Sequence, residues 1–181
     1  MINLITLLFA PSFLILTNYF DFKRLVLAYI FIAIIFMILS IIKKRKAEDF
    51  IVITIYLILL IVAYFSTSLE IVKFIPVLTS MVFVSIFIHA TINKKEIILR
   101  FTQKFYPKKL SDVEIIYLKN GDFYWAVALF FYMLLLFSVV LMGNDTLWAI
   151  LSSIGWYAYF AFILTIQILY GKLYATKMYT K

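Results

Sequence analysis

Six uncharged runs, at 2–20, 25–42, 50–69, 74–92, 123–143 and 147–170, account for most of this 181-residue chain, and every Lys, Arg, Asp and Glu lies in the gaps between them. A charge at the centre of a bilayer costs about 2.5 to 3.5 kcal/mol on insertion scales, so such segregation is the mark of membrane-spanning segments. At about 1.5 Å per helical residue each run crosses, or nearly crosses, a hydrocarbon core of about 30 Å. Backbone groups of open strands would go unpaired at that depth, and the runs lack the alternation of a barrel. The expectation is an all-α, polytopic membrane bundle of six transmembrane helices in one integral membrane domain, 1–181. Pro11 sits mid-way along the first run, which is therefore either a full span or a re-entrant segment; the second choice leaves five spans. No basic residue follows Met1 and no small-residue cleavage site precedes Asp21, which speaks for a span over a secretory signal peptide.

Basic residues set the orientation. The cluster Lys43, Lys44, Arg45, Lys46 is a strong cytoplasmic stop signal. With it inside, every Lys and Arg except Lys23, Arg24 and Lys73 is also inside, and the formal excess of +8 faces the anionic leaflet. Both termini are then cytoplasmic and the expected location is the bacterial inner membrane. Pro76 reads as the first turn of the fourth helix, and Gly171 followed by Lys172 as the end of the sixth.

One connection is long, 93–122. Ile97, Phe101 and Phe105 recur every fourth position with Ile98 beside them, while Glu96, Arg100, Gln103 and Lys104 take the opposite face, so an amphipathic helix ending at Pro107 is expected in the headgroup plane. Ser111, Asp112, Val113, Glu114 is a capping-box pattern opening a short helix towards Gly121. The basic residues Lys94, Lys95, Arg100, Lys104, Lys108 and Lys109 are the candidate docking set for anionic lipid or a protein partner.

Chemistry-bearing patterns are sparse. Cysteine is absent and histidine occurs once, at His89 near the inner end of the fourth run, which argues against a metal site and any cofactor held by thiolates. His89 is the candidate intramembrane polar site, read chiefly as a hydrogen-bonding residue because no charged side chain lies in another run. Ser66, Thr67 and Ser68 lie near the membrane face opposite the single histidine, Thr79, Ser80 and Ser85 line the fourth run, and all read as packing groups, so no catalytic role is expected. Gly155, Ala158, Ala161 and Thr165 share an arc of about 120° on the sixth helix, a strip for close helix approach or for a second copy of the chain. Trp125 and Trp148 mark helix entries, with Tyr124, Tyr170 and Tyr174 at the inner boundary. The four glycines form no phosphate loop, and the juxtamembrane position of the basic residues favours lipid over nucleic acid.

From Lys73 onward the order of features resembles the bacterial intracellular septation protein A family of inner membrane-spanning proteins. The resemblance lies in Val72, Lys73, Phe74, Ile75, Pro76, then Lys95, Glu96, Ile97, Ile98, then Trp125, Ala126 with Phe130, Phe131, and finally Trp148. Pro76, Val77, Leu78 and Ser80 are also similar to a sister group of membrane proteins linked to aryl-polyene pathways. The resemblance implies a non-enzymatic protein that supports cell-envelope biogenesis and integrity beside envelope-synthesis or division proteins. The alternative is a small carrier or accessory subunit for a lipid or lipid-linked intermediate.

Overall fold

The computed structural model describes residues 2–43, 47–105 and 110–179, with side chains over 9–43, 50–104 and 110–171. Eight helices account for nearly all of them: α1 (Ile2–Leu16), α2 (Phe22–Ile42), α3 (Ala47–Ser66), α4 (Leu69–Ile92), α5 (Ile97–Phe105), α6 (Asp112–Lys119), α7 (Gly121–Leu141) and α8, which begins at Asp145–Ile150, passes a π-helical turn at Leu151–Gly155 and continues as Trp156–Tyr179. No strand occurs among the described residues. Four helical stretches are long and apolar enough to cross a membrane, Phe22–Ile42, Leu69–Ile92, Gly121–Leu141 and Asp145–Gly171, and the apolar part of α3, Phe50–Ser66, is shorter. α1, of 15 residues, passes through Pro11 without reversing. Large apolar side chains such as Phe31, Ile35, Ile38, Phe131 and Phe162 are exposed, as expected where the solvent is lipid.

Local signals place the helix starts. The Asp21 carboxylate accepts from the amides of Lys23 and Arg24 at 3.1 and 3.4 Å, opening α2. Asn144 accepts from Leu147 N at 2.9 Å and opens α8 after Gly143, whose φ of +66° suits a residue without Cβ. The capping box forms as its spacing predicts, with Ser111 and Glu114 bonding each other's backbone N–H, and α6 runs to Lys119.

Pro76 and Gly171 mark boundaries differently from expectation. α4 starts at Leu69, so Pro76 lies inside the helix and not in its first turn. Gly171 lies within α8, which runs on to Tyr179. Its lack of a side chain serves proximity: a Cβ there would stand 3.0 Å from the Tyr117 ring.

The chain divides into two compact units, Met1–Val82 with Met133–Trp156, and Phe83–Tyr132 with Tyr157–Lys181. In the first, α2 and α3 pair along their lengths and α1 packs on the start of α8 and its π turn. Phe9 and Phe13 of α1 are buried, with Phe9 meeting the rings of Tyr29 and Tyr56 edge-on at 5.2 and 5.3 Å. Ser12 and Tyr29 share a hydroxyl hydrogen bond of 2.6 Å. In the second unit, α5 and α6 pack together through Leu99, Tyr117 and Leu118. There Trp125 of α7 lies against Phe160 of α8, ring centroids 4.5 Å apart.

Candidate functional site

The second unit builds a platform from the connection expected to be amphipathic. α4 closes with paired bonds, Lys95 N to Ala90 O at 2.9 Å and Lys94 N to Thr91 O at 3.3 Å, and Lys94 takes the left-handed conformation, φ +49°. Glu96, φ +50°, turns the chain again into α5. The turn is held from below by Asp122 in the first turn of α7. Its carboxylate, 2% exposed as a residue, accepts from Ile97 N and Ile98 N at 2.9 Å each, capping α5 from 25 residues away. Close approach is possible because residue 121 is glycine: a Cβ there would lie 2.8 Å from Ile98 Cγ2.

A second stitch joins α6, α7 and α8. The Trp125 indole N–H donates to Gln167 Oε1 at 2.7 Å, and the Tyr117 hydroxyl donates to the Gln167 carbonyl at 3.0 Å. An indole only donates, so the amide oxygen must face it; the Gln167 Nε2 is buried with no acceptor among the described residues. Burial, with Tyr124 and Tyr170 alongside, pushes the Tyr117 phenol up to about 12.

The docking residues divide accordingly. Lys94, Lys95, Arg100 and Lys104 are exposed, and Lys108 and Lys109 lie outside the described residues. The Arg100 guanidinium donates to the Lys95 carbonyl, which brings it onto the Lys94–Lys95 turn. The Lys119 ammonium stands 4.0 Å from Glu96 at the same turn. On α5 the buried residue is Leu99, while Phe101 is 56% exposed and Ile97 partly so. The apolar stripe foreseen from Ile97 and Phe101 therefore does not face the protein interior. Phe105 and Pro107 lie where no side chain is described.

Other candidates are dispersed. His89 is exposed on α4, and its ring nitrogens meet only Asn93 Nδ2 among the described hydrogen bonds, at 3.1 and 3.4 Å. Gly155 falls in the π turn, and Ala158, Ala161 and Thr165 are exposed, with Thr165 Oγ1 donating to Ala161 O at 2.8 Å. Their strip is thus open on the single chain. Gln167, about half a turn on from Thr165, is turned inward.

The first unit holds a group that uncharged runs conceal. Lys73, placed above in the outer connection, is 2% exposed inside α4; its ammonium donates to Glu70 Oε1 at 2.6 Å and lies 2.5 Å from Asp145 Oδ1 of α8. Trp148, fully buried, donates its indole N–H to the Lys73 carbonyl at 3.1 Å. Pro76, lacking an N–H, loosens the ladder in that turn. Charged side chains therefore lie within the first turns of these helices, which begin before the uncharged runs that marked them in the sequence. Among the described residues, no three His, Cys, Asp or Glu side chains gather as metal ligands.

No protein-family profile, curated protein or solved structure matches the chain.

Proposed function

We propose that the chain is an integral inner-membrane protein that supports cell-envelope biogenesis and integrity as a non-catalytic scaffold for envelope-synthesis or division proteins. It crosses the bilayer six times with both termini cytoplasmic, and it resembles the septation protein A family in role. The observation that carries this reading is the platform α5–α6. Asp122, Trp125, Gln167 and Tyr117 stitch a cationic surface to the long apolar helices α7 and α8. A connection stitched in this way presents its charges in fixed positions, which is what a docking surface needs. The open strip Ala158, Ala161, Thr165 offers a second face to a partner helix or another copy of the chain.

The test is complementation. Cells lacking the protein should show a weakened envelope, and the variant Lys95→Glu/Arg100→Glu/Lys104→Glu should insert at normal levels yet fail to restore it. Full restoration by the charge-reversed chain would overturn the reading. The carrier alternative draws on the Lys73, Glu70 and Asp145 group, since ionisable residues inside spans commonly mark pathways. A lipid-linked species retained at fixed stoichiometry through gentle extraction would favour it.

A further inference from the structure

We infer that the turn joining α4 to α5 is a binding surface for anionic phospholipid headgroups, with Lys94, Lys95 and Arg100 as its cations and Phe101 as its apolar anchor. Four observations converge on it. First, cations are concentrated there: the Arg100 guanidinium is folded onto the Lys95 carbonyl, so three cations stand at one turn, and Lys119 approaches the same turn through Glu96.

Second, the local carboxylates do not cancel them. Asp122 is buried and satisfied by two amides, which leaves Glu96 as the acidic side chain placed at the turn itself. Third, Lys94 occupies the left-handed closing position of α4, where glycine fits without steric cost and a lysine is strained. Glu96 takes the same conformation two residues on, so the turn that carries the lysines has a fixed, strained backbone.

Fourth, the apolar surroundings match a bilayer interface better than an acidic protein. Ile92 at the end of α4 is 74% exposed, and Phe101, Phe123, Tyr124 and Tyr170 of the same unit are each about half exposed. Exposed aromatic and aliphatic groups beside basic ones suit the headgroup and acyl boundary, where rings insert and ammonium and guanidinium groups meet phosphate. An acidic protein surface would satisfy the charges and leave the rings in water. Each basic group near an anionic leaflet contributes about 1 kcal/mol, or about a fivefold preference.

This inference rests on the membrane reading and not on the scaffold role; its test is made on purified protein and is indifferent to any envelope phenotype. The full chain is reconstituted in nanodiscs of phosphatidylcholine and phosphatidylglycerol in equal amounts, and the lipids it retains are read by native mass spectrometry after partial delipidation. Phosphatidylglycerol should be enriched on the unaltered chain. Lys94→Gln/Lys95→Gln/Arg100→Gln should lower that enrichment by about tenfold or more. Lys94→Arg/Lys95→Arg keeps the charge and should keep the enrichment, which separates loss of charge from loss of fold. Equal retention of both lipids by the unaltered chain, or unchanged enrichment in the neutralised variant, overturns the inference. So does loss of enrichment in the arginine variant. Binding of polyglutamate in pure phosphatidylcholine discs, without phosphatidylglycerol preference, would assign the surface to an acidic protein instead.

Discussion

At the scale of single residues, the second unit depends on a few polar atoms with no substitute nearby. Asp122 satisfies two amides at the start of α5, so Asp122→Ala leaves both unpaired beside a buried site and should cost about 2 kcal/mol or more; Asp122→Asn, keeping one acceptor oxygen, should cost less. Hydrogen exchange would localise the effect: the amides of Ile97 and Ile98 should lose protection while those of α2 and α3 keep theirs. Tyr117 gives the same unit an alkaline limit. Its phenol is neutral below its ordinary pKa of 10.0 in folded and unfolded chain alike, and between 10.0 and about 12 only the unfolded chain ionises. Stability from this group is therefore complete below pH 10.0 and is lost as pH rises through about 12. An ultraviolet titration of tyrosinate should show a late-ionising phenol that disappears in Tyr117→Phe. That variant also forfeits the bond to the Gln167 carbonyl, a loss of about 1 kcal/mol. Gly121→Ala tests proximity directly. Its methyl would meet Ile98 at under 3 Å, and the expected cost is about 1 to 3 kcal/mol, read as a lowered Tm in detergent.

At the scale of elements, the start of α8 grips α4 twice, through the Asp145 carboxylate on the Lys73 ammonium and through the Trp148 indole on the Lys73 carbonyl. A buried cation with its partners removed is costly, about 3 to 5 kcal/mol, whereas removing cation and partners together is nearly neutral. Glu70→Ala/Asp145→Ala should therefore be strongly destabilised, and adding Lys73→Met should recover most of the loss. Lys73→Met alone should be mild, because Glu70 and Asp145 are 58% and 39% exposed and return to solvent. Additive losses across this cycle, measured by chemical denaturation in detergent, would mean that the lysine is not held by its carboxylates. The π turn that follows in α8 packs against α1 and shifts the phase of every residue after Gly155. A constant angular step therefore does not carry from the packed face of Trp148 and Ser153 to the exposed Ala158, Ala161 and Thr165.

At the scale of the whole molecule, what the amino-acid order reveals follows from which forces are local. The helix start at Ser111 was legible because a capping box is decided within three residues; the caps at Asp21 and Asn144 are equally local but lie in connections where the uncharged runs alone set the expected starts. The inward roles of Trp125 and Trp148 were half legible: their position at helix entries could be read, but their acceptors lie 42 and 75 residues away. The starts of α4 and α7 lie before the uncharged runs for a related reason. A run of uncharged residues ends at its first Lys or Asp, yet a helix continues through Lys73 or Asp122 when a distant carboxylate or pair of amides receives the side chain. The number of crossings is a matter of parity. From the N-terminus to the α5 platform the chain passes α1, α2, α3 and α4, so the two points share a side if all four cross and oppose each other if α1 does not. The chain contains no cysteine, so single thiols at Asn3→Cys, Gln103→Cys and Thr146→Cys can be probed with a membrane-impermeant reagent on intact spheroplasts. The six-span arrangement predicts labelling at Thr146→Cys alone, with Asn3→Cys and Gln103→Cys reacting only after lysis. Labelling of Asn3→Cys in intact spheroplasts would reduce the spans to five, and labelling of Gln103→Cys would invert the whole protein, carrying its cationic platform away from the anionic leaflet on which the proposed lipid contact depends.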